Sequence, residues 1–272
     1  MDCRLYQKGV GFWVMGVRCW VMDVRCWVLG VGCWAAVTSL SAQTTTTHHP
    51  SPTNTHHPSP ITQQHPSPTT QWRDSLTVLN RQIATSPWST DLHLRKAAVN
   101  LELKQWQYAI DEYAQVLQRE PKNPAALFYR AYANTHLRRF DLARNDLNDL
   151  LAYVPNHFEG RLSLAIVLQQ LGHRQEALDN LNQLIQNHAD SAVAYAARAN
   201  LERTMKQDES ALYDWQRAEE LSPRDPVYVA SHVDLLLVLE RRKEARRVLD
   251  AAVKRGIPRG MLLEWYEKCK RR

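Results

Sequence analysis

Residues 124–157 read PAALFYRAYANTHLRRFDLARNDLNDLLAYVPNH, and their pattern of small and large side chains recurs every 34 residues along the chain. Three columns of the pattern show the recurrence most clearly, because each keeps one kind of side chain. They are Ala109, Ala143, Ala177, Ala211 and Ala245; Ala97, Ala131, Ala165, Ala199 and Val233; and Tyr113, Leu147, Leu181, Trp215 and Leu249. Agreement in five successive segments is not expected by chance, so the chain after Trp72 is interpreted as a repeat domain.

The two alanine-rich columns predict pairs of helices that approach each other closely. Helices joined by a short turn come together only where small side chains face each other, and larger ones there would cost about 1–3 kcal/mol. The third column stands four residues after the first, one helical turn along the same face, and fills the space towards the next pair. Proline disrupts helical continuation and ends the second helix of a pair. Such prolines are Pro87, Pro121, Pro155 and Pro223.

This pattern resembles the tetratricopeptide repeat family, whose repeats have the same period and a signature of small and large residues at set offsets. The resemblance implies an all-α, right-handed solenoid in which neighbouring units cover each other's apolar faces. The units are 90–123, 124–157, 158–191, 192–225 and 226–259, after a half unit at 72–89 and before a capping helix at 260–272, all within domain 72–272. The chain departs from the family at the turn between paired helices, where only Gly172 is glycine.

The first 43 residues differ in composition from the repeats. Tryptophan recurs there every seven residues, which favours a duplicated unit, with a tryptophan stripe for a membrane surface or a partner as the alternative. The recurring residues are Trp13, Trp20, Trp27 and Trp34. Basic residues precede an apolar run over 26–40 and a small residue, Ala42, which is typical of a secretory signal peptide cleaved before Gln43. Lipoprotein status at Cys33 stays open.

Export of this kind predicts a periplasmic or envelope-associated protein, and the mature form is expected to have no transmembrane span. A chain started after these residues would instead stay in the cytoplasm. Residues 44–71 follow, rich in proline, histidine and threonine, and such a composition predicts a disordered, extended linker. Its histidines could chelate a metal only weakly without a supporting structure, so no metal site is expected.

Motifs for catalysis are missing from the sequence. It contains no phosphate-binding G-x-x-x-x-G-K-[ST], no H-E-x-x-H, no G-x-S-x-G and no dinucleotide fingerprint. We therefore expect a protein that is not an enzyme and has no cofactor. The carboxylates Asp146, Asp214 and Glu176 on the second helices are interpreted as solvated, or as hydrogen-bonded between repeats.

The resemblance instead implies binding of a protein or peptide on the concave face, which the first helices of the units line. Large aromatic side chains and amides on such a face suit an extended or helical peptide. The candidate residues carried over from the family are Tyr129, Tyr132, His136, Gln169, Gln170, Asn200 and Arg203. The carboxylate clamp of some family members is not expected, because Leu94 and Ala98 stand at its first positions. Phe128 and Leu162 are either groove residues or packing between repeats.

The basic charge of the chain, +6 overall, is concentrated at its C-terminal end, where 240–272 hold twelve Lys and Arg against five Asp and Glu. A solvated capping face is the preferred interpretation, and binding to nucleic acid or an anionic surface is the alternative. Self-association as a structural spacer through the repeat ends is a further alternative. In the capping helix, Met261, Leu262 and Trp265 are expected to face the stack.

Overall fold

The computed structural model describes residues 68–270, and within that range the chain is helical with no β-strand. The expected all-α solenoid is confirmed, since each helix packs against the next along the chain. The tryptophan tandem and signal peptide predicted at 1–43, and nearly all of the linker predicted at 44–71, lie outside the described residues. No helix between Pro68 and Lys270 has the length and apolar character needed to cross a membrane.

Twelve α-helices and one 3-10 helix make up this part of the chain. They are α1 (Pro68–Thr85), α2 (Thr90–Glu102), α3 (Trp106–Leu117), α4 (Pro124–His136), α5 (Phe140–Tyr153), α6 (Phe158–Gln170), α7 (Arg174–Asn187), α8 (Ala192–Thr204), α9 (Asp208–Leu221), α10 (Pro226–Val238), α11 (Arg242–Lys254), the 3-10 helix (Arg259–Leu262) and α12 (Leu263–Lys270). The even-numbered helices from α2 to α10 are the first helices of the units, and the odd-numbered helices from α3 to α11 are the second helices. Helix α1 begins at Pro68, before the predicted start at Trp72, because proline suits the first turn of a helix.

Each first helix begins after a residue whose side chain accepts a hydrogen bond from a backbone N–H of the first turn. These N-cap residues are Ser89, Asn123, His157, Ser191 and Asp225. Serine, asparagine and aspartate are favoured there because their oxygen satisfies a donor that the helix leaves unpaired. The caps recur at the repeat interval, so every unit starts its first helix in the same way.

The turn between the two helices of a unit needs a left-handed backbone at one position. Its φ is 56° at Lys104, 58° at Arg138, 83° at Gly172, 60° at Lys206 and 59° at Glu240. Only glycine adopts this conformation without steric cost, which is about 1–2 kcal/mol per residue for other side chains. The geometry of the turn is therefore kept in all the units although four of them lack glycine.

Arg138→Gly should raise the free energy of unfolding by about 0.5–1 kcal/mol, because relief of the left-handed strain exceeds the greater entropy of glycine in the unfolded chain. Gly172→Ala is the opposite change at the same turn position, and it should lower stability by about 1 kcal/mol. Urea denaturation of the two variants measures both effects. Opposite signs support a left-handed strain at this position, and equal signs would contradict it.

The three predicted columns are confirmed as the core of the solenoid. The first column is 0% exposed throughout, the second at most 2% and the third at most 3%. Alanines from the paired helices allow close approach, while the large third-column side chains join one unit to the next in a continuous apolar cluster. Phe128 and Leu162 are also buried in this cluster, so they serve packing between repeats.

The C-terminal cap differs from the prediction in which side chains it buries. Leu262 is buried and Trp265 packs half-buried against the core, as predicted, whereas Met261 is 55% exposed and Tyr266 is buried instead. The reason is the 3-10 helix at Arg259–Leu262, whose tighter winding shifts the apolar face relative to a continuous α-helix. The hydroxyl of Tyr266 donates to Asp250 Oδ1 at 2.8 Å, which fastens α12 to α11.

Candidate partner-binding groove

The seven predicted site residues lie on three successive first helices, α4, α6 and α8. These helices contact one another directly, α4 with α6 and α6 with α8, as expected for the inner side of a curved stack. The exposed candidates are His136, Gln170 and Arg203. Tyr129, Tyr132, Gln169 and Asn200 are half-buried. We name this first-helix face of α4, α6 and α8, with its continuation onto α10, the groove.

An aromatic cluster occupies the N-terminal end of the groove. The ring of His136 stacks on Trp106 with centroids 4.1 Å apart and an interplanar angle of 1°. Tyr132 meets both rings edge-on, at 6.0 Å from Trp106 and 4.5 Å from His136. Trp106 opens the second helix of the preceding unit and is absent from the predicted site. Two of the predicted site residues, Tyr132 and His136, are thus in contact on one helix. Trp106, from another unit, completes the aromatic surface.

Tyr129 belongs to the packing between repeats more than to the groove surface. Its ring stacks on the buried Tyr113 at 6.1 Å and meets Phe128 edge-on at 5.1 Å. Burial raises the pKa of Tyr129 above its ordinary value, and the carboxylates of Glu159 and Glu102 add to the shift. The phenol therefore stays neutral at physiological pH.

Amide side chains line the middle of the groove. Gln170 is exposed at the end of α6, and Gln169 precedes it in a half-buried position. On α8, the buried Nδ2 of Asn200 has no hydrogen-bond partner among residues 68–270. Amides can donate to and accept from a peptide backbone, and the exposed amide of Gln170 is accessible to such a partner.

The C-terminal end of the groove is a cavity of about 400 Å³. Its lining residues are Arg203, Asp234, Leu237, Val238, Arg242 and Lys268. Only Arg203 belongs to the predicted site, because the others come from the last unit and the capping helix. Glu264 hydrogen-bonds Lys268 and Asp234 lies beside it, and together they raise the pKa of this lysine above its ordinary value.

Buried ion pairs within the units hold the first helices in place. Arg130 pairs with Asp146, and Arg198 pairs with Asp214 through both carboxylate oxygens at 2.6 and 2.8 Å. Asp146 and Asp214 are 4% and 1% exposed, so their interpretation as solvated or as bonded between repeats is wrong. The cause is the helix-pair geometry, which sets a first-helix arginine opposite a second-helix aspartate sixteen residues later. Glu176 is exposed, as expected for a solvated carboxylate.

Glu202 is a buried carboxylate in this layer with no partner on its Oε2 atom among residues 68–270. Glu202 and Asn134 stand at the same position of their units. Asn134 lies beside Asp146, and Glu202 lies beside Asp214. Burial raises the pKa of Glu202 from 4.5 to about 7, the charge of Asp214 adds to the rise, and Arg198 opposes it. The folded chain therefore holds a proton on Glu202 that the unfolded chain releases at lower pH.

Glu202→Gln should remove a pH dependence of stability. In the unmodified chain the free energy of unfolding falls by about 2 kcal/mol as pH rises from about 4.5 to about 7, because the unfolded state loses the proton first. The variant should match the unmodified chain near pH 4.5 and be more stable by about 2 kcal/mol at pH 8. Urea denaturation at the two pH values measures this. The exposed control Glu102→Gln should leave the stability unchanged at both pH values. A gain in stability of Glu202→Gln at pH 4.5 alone would contradict the raised pKa of Glu202.

No three His, Cys, Asp or Glu side chains within 68–270 come together in an arrangement that could hold a metal ion. The groups that line the groove are aromatic rings, amides and guanidinium groups, and side chains of these kinds suit contact with a polypeptide.

Known proteins similar to this chain support the helical repeats described above. Residues 94–158 and 159–191 each match a tetratricopeptide repeat family. Residues 94–191 are therefore tetratricopeptide repeats. A tetratricopeptide repeat protein from Parabacteroides merdae has a similar fold, with a TM-score of 0.54, 18% identity, and coverage of 74% of this chain and 79% of that one. YrrB, described as a TPR protein with an unusual peptide-binding site, has a TM-score of 0.52 at 14% identity and covers 70% of this chain and 97% of its own.

Two curated proteins are similar in sequence to part of this chain. The DnaJ homolog subfamily C member 7 homolog of Dictyostelium discoideum is 24% identical over 201 residues, 56% of this chain and 37% of the relative. The peptidyl-prolyl cis-trans isomerase FKBP42 of Arabidopsis thaliana is 37% identical over 78 residues, 29% of this chain and 21% of the relative. The chain therefore spans well under half the length of either relative.

Proposed function

We propose that this tetratricopeptide repeat protein is a non-enzymatic scaffold that binds a protein or peptide partner along its groove. The observation that carries the proposal is the contrast between paired and unpaired polar groups. Side chains between the helices of a unit are committed to ion pairs, as in Arg198 with Asp214. By contrast, the exposed side chains of Gln170 and Arg203 make no hydrogen bond or ion pair within 68–270.

The order in which aromatic, amide and guanidinium side chains follow one another along the groove supports a polypeptide as the partner. Aromatic rings at one end supply contact area at low cost in side-chain entropy, amides follow, and guanidinium groups stand at the other end. A groove that extends over the first helices α4, α6, α8 and α10 suits an extended or helical segment better than a small molecule. The peptide-binding site in the description of YrrB supports the same class of ligand.

The proposal is tested with peptides selected from a random dodecapeptide library by the full-length chain, with affinities measured by fluorescence anisotropy. A His136→Ala, Gln170→Ala, Arg203→Ala variant should bind about 10- to 100-fold more weakly, because each exposed side chain contributes up to about 1 kcal/mol. These positions are preferred to Tyr132 because their side chains are exposed, whereas that of Tyr132 is half-buried and its removal would mix binding with stability.

The matched control truncates Tyr108, Leu142 and Tyr213, exposed side chains on second helices, to alanine. It should bind the peptides as tightly as the unmodified chain. Equal weakening in both triple variants, or in neither, would rule out the groove as the binding surface.

Binding of nucleic acid through the basic C-terminal end is the weaker candidate, because much of that charge is already neutralised. Seven ion pairs among the described residues involve basic side chains of this end: Arg241 with Glu209 and Glu244, Arg246 with Asp250, Arg255 with Glu219, Lys268 with Asp234 and Glu264, and Lys270 with Glu267. Binding of a single-stranded oligonucleotide that weakens steeply with added salt would favour this alternative.

An envelope location is the further part of the proposal, and it is supported by the export-like sequence at 1–43. Mass spectrometry of the protein from its native cells tests it. A mature chain that begins at Gln43 is expected, and a chain that retains residues 1–42 in the cytoplasm would contradict it. Self-association through the repeat ends is tested by light scattering over a range of concentrations.

A further inference from the structure

The cavity at the end of the groove brings together charges that are far apart in the sequence. Arg203 comes from α8, Arg242 from the first turn of α11 and Lys268 from the capping helix α12. Asp234 is the acidic residue among its lining side chains. Three cationic groups against one carboxylate give the cavity a positive potential.

The two arginines differ from the lysine in what they contact. Lys268 Nζ is 3.3 Å from Asp234 Oδ1 and 2.8 Å from Glu264 Oε1, so its charge is largely balanced. The guanidinium groups of Arg203 and Arg242 make no hydrogen bond or ion pair within the part of the chain that the structure describes. Because Asp234 and Glu264 are taken up by Lys268, the positive charge of the arginines is available to a ligand.

Aliphatic side chains lie beside these charges. Val238 is 64% exposed at the end of α10, and Leu237 is half-buried next to it. Both line the same cavity as the arginines. An apolar wall next to two guanidinium groups matches a ligand that has an aliphatic group next to an anion.

We propose that this cavity holds an aspartate or glutamate side chain of the bound peptide, with a neighbouring aliphatic residue of the peptide against Val238. The inference rests on the proposed peptide binding and adds the chemistry of one ligand position. A carboxylate is favoured because the planar guanidinium donates two parallel N–H···O bonds to it. Lys268 would add to the positive charge of the cavity, although Asp234 and Glu264 balance much of its charge.

The test is a thermodynamic cycle on one selected peptide, made with a C-terminal amide. For the unmodified chain, replacing the acidic residue of the peptide by its amide, Glu by Gln or Asp by Asn, should weaken binding about 10- to 100-fold. An Arg203→Gln, Arg242→Gln variant should bind the acidic and the amide peptide with nearly equal affinity. Asp234→Asn should strengthen binding of the acidic peptide several-fold, since it removes the competing carboxylate.

The matched control is an Arg138→Gln, Arg174→Gln variant, in which two exposed arginines outside the cavity are changed. It should keep the full preference for the acidic peptide. Thermal melts of both double variants check that each is folded.

The outcomes separate this inference from the proposed function. If peptides are selected but the unmodified chain binds acidic and amide versions equally, the cavity proposal is wrong while peptide binding stands. If binding depends on a free peptide C-terminus instead of an acidic side chain, the cavity proposal is also wrong. If no peptide is selected at all, both proposals are contradicted.

Discussion

Trp215→Ala should lower the free energy of unfolding by about 3–5 kcal/mol, the range for truncating a buried aromatic side chain. Trp215 is 0% exposed and fills the third-column position of its unit, where other units have Leu147, Leu181 or Leu249. Its ring centroid lies 6.4 Å from that of Tyr228 in the next unit, so the cavity left by alanine would open at the junction of two units. Urea denaturation followed by circular dichroism measures the loss.

Two further variants identify the cause of that loss. Tyr213→Ala removes an aromatic ring from the same helix at a position that is 60% exposed, and it should change stability by less than about 0.5 kcal/mol. Trp215→Leu should cost much less than alanine, because leucine suits the column and removes an indole N–H that has no partner within 68–270. A Trp215→Ala loss below about 1 kcal/mol would contradict packing of units through this column.

Arg198→Ala should lower the free energy of unfolding by about 3–5 kcal/mol at pH 7. The reason is the carboxylate left behind, because Asp214 is 1% exposed and receives two hydrogen bonds from this guanidinium. Arg198 also donates to Asn182 Oδ1 at 2.8 Å. Its loss would leave Asp214 beside Glu202 with no compensating charge, which is more costly than the loss of the pair itself.

The matched control for this prediction is Arg95→Ala on α2. Arg95 makes an exposed ion pair with Asp91 at 3.8 Å, and the loss of such a pair costs at most about 1 kcal/mol. Adding Asp214→Ala to Arg198→Ala should recover a large part of the stability, since no buried charge then remains unpaired. Failure to recover any of it would show that the arginine acts through its packing and not through its charge.

Much of the fold could be predicted because it depends on short-range periodicity. Alanines such as Ala109 and Ala143 recur at one interval, and close helix packing is the physical reason for such a column. The left-handed turn was harder to see, because Arg138 and Lys206 adopt it without being glycine. There the packing of two helices outweighs a local backbone preference.

The candidate groove could be predicted only in part, because its ends depend on how units are rotated relative to one another. The position of Trp106 beside His136 joins two units, and no single repeat contains that contact. The cavity formed with Arg242 and Lys268 includes the capping helix α12, and the 3-10 helix before α12 breaks the repeat pattern. Tyr129 lies on a predicted groove helix, but its ring packs on Tyr113 between repeats, and the sequence alone does not show that contact.

Photo-cross-linking locates the bound peptide most directly. A selected peptide that carries a benzophenone side chain is irradiated with the full-length chain, and the modified residues are identified by mass spectrometry. Binding in the groove predicts cross-links on the first helices, at or beside His136, Gln170 and Arg203. Cross-links confined to the second helices, around Tyr108, Leu142 and Tyr213, would contradict a groove formed by the first-helix face.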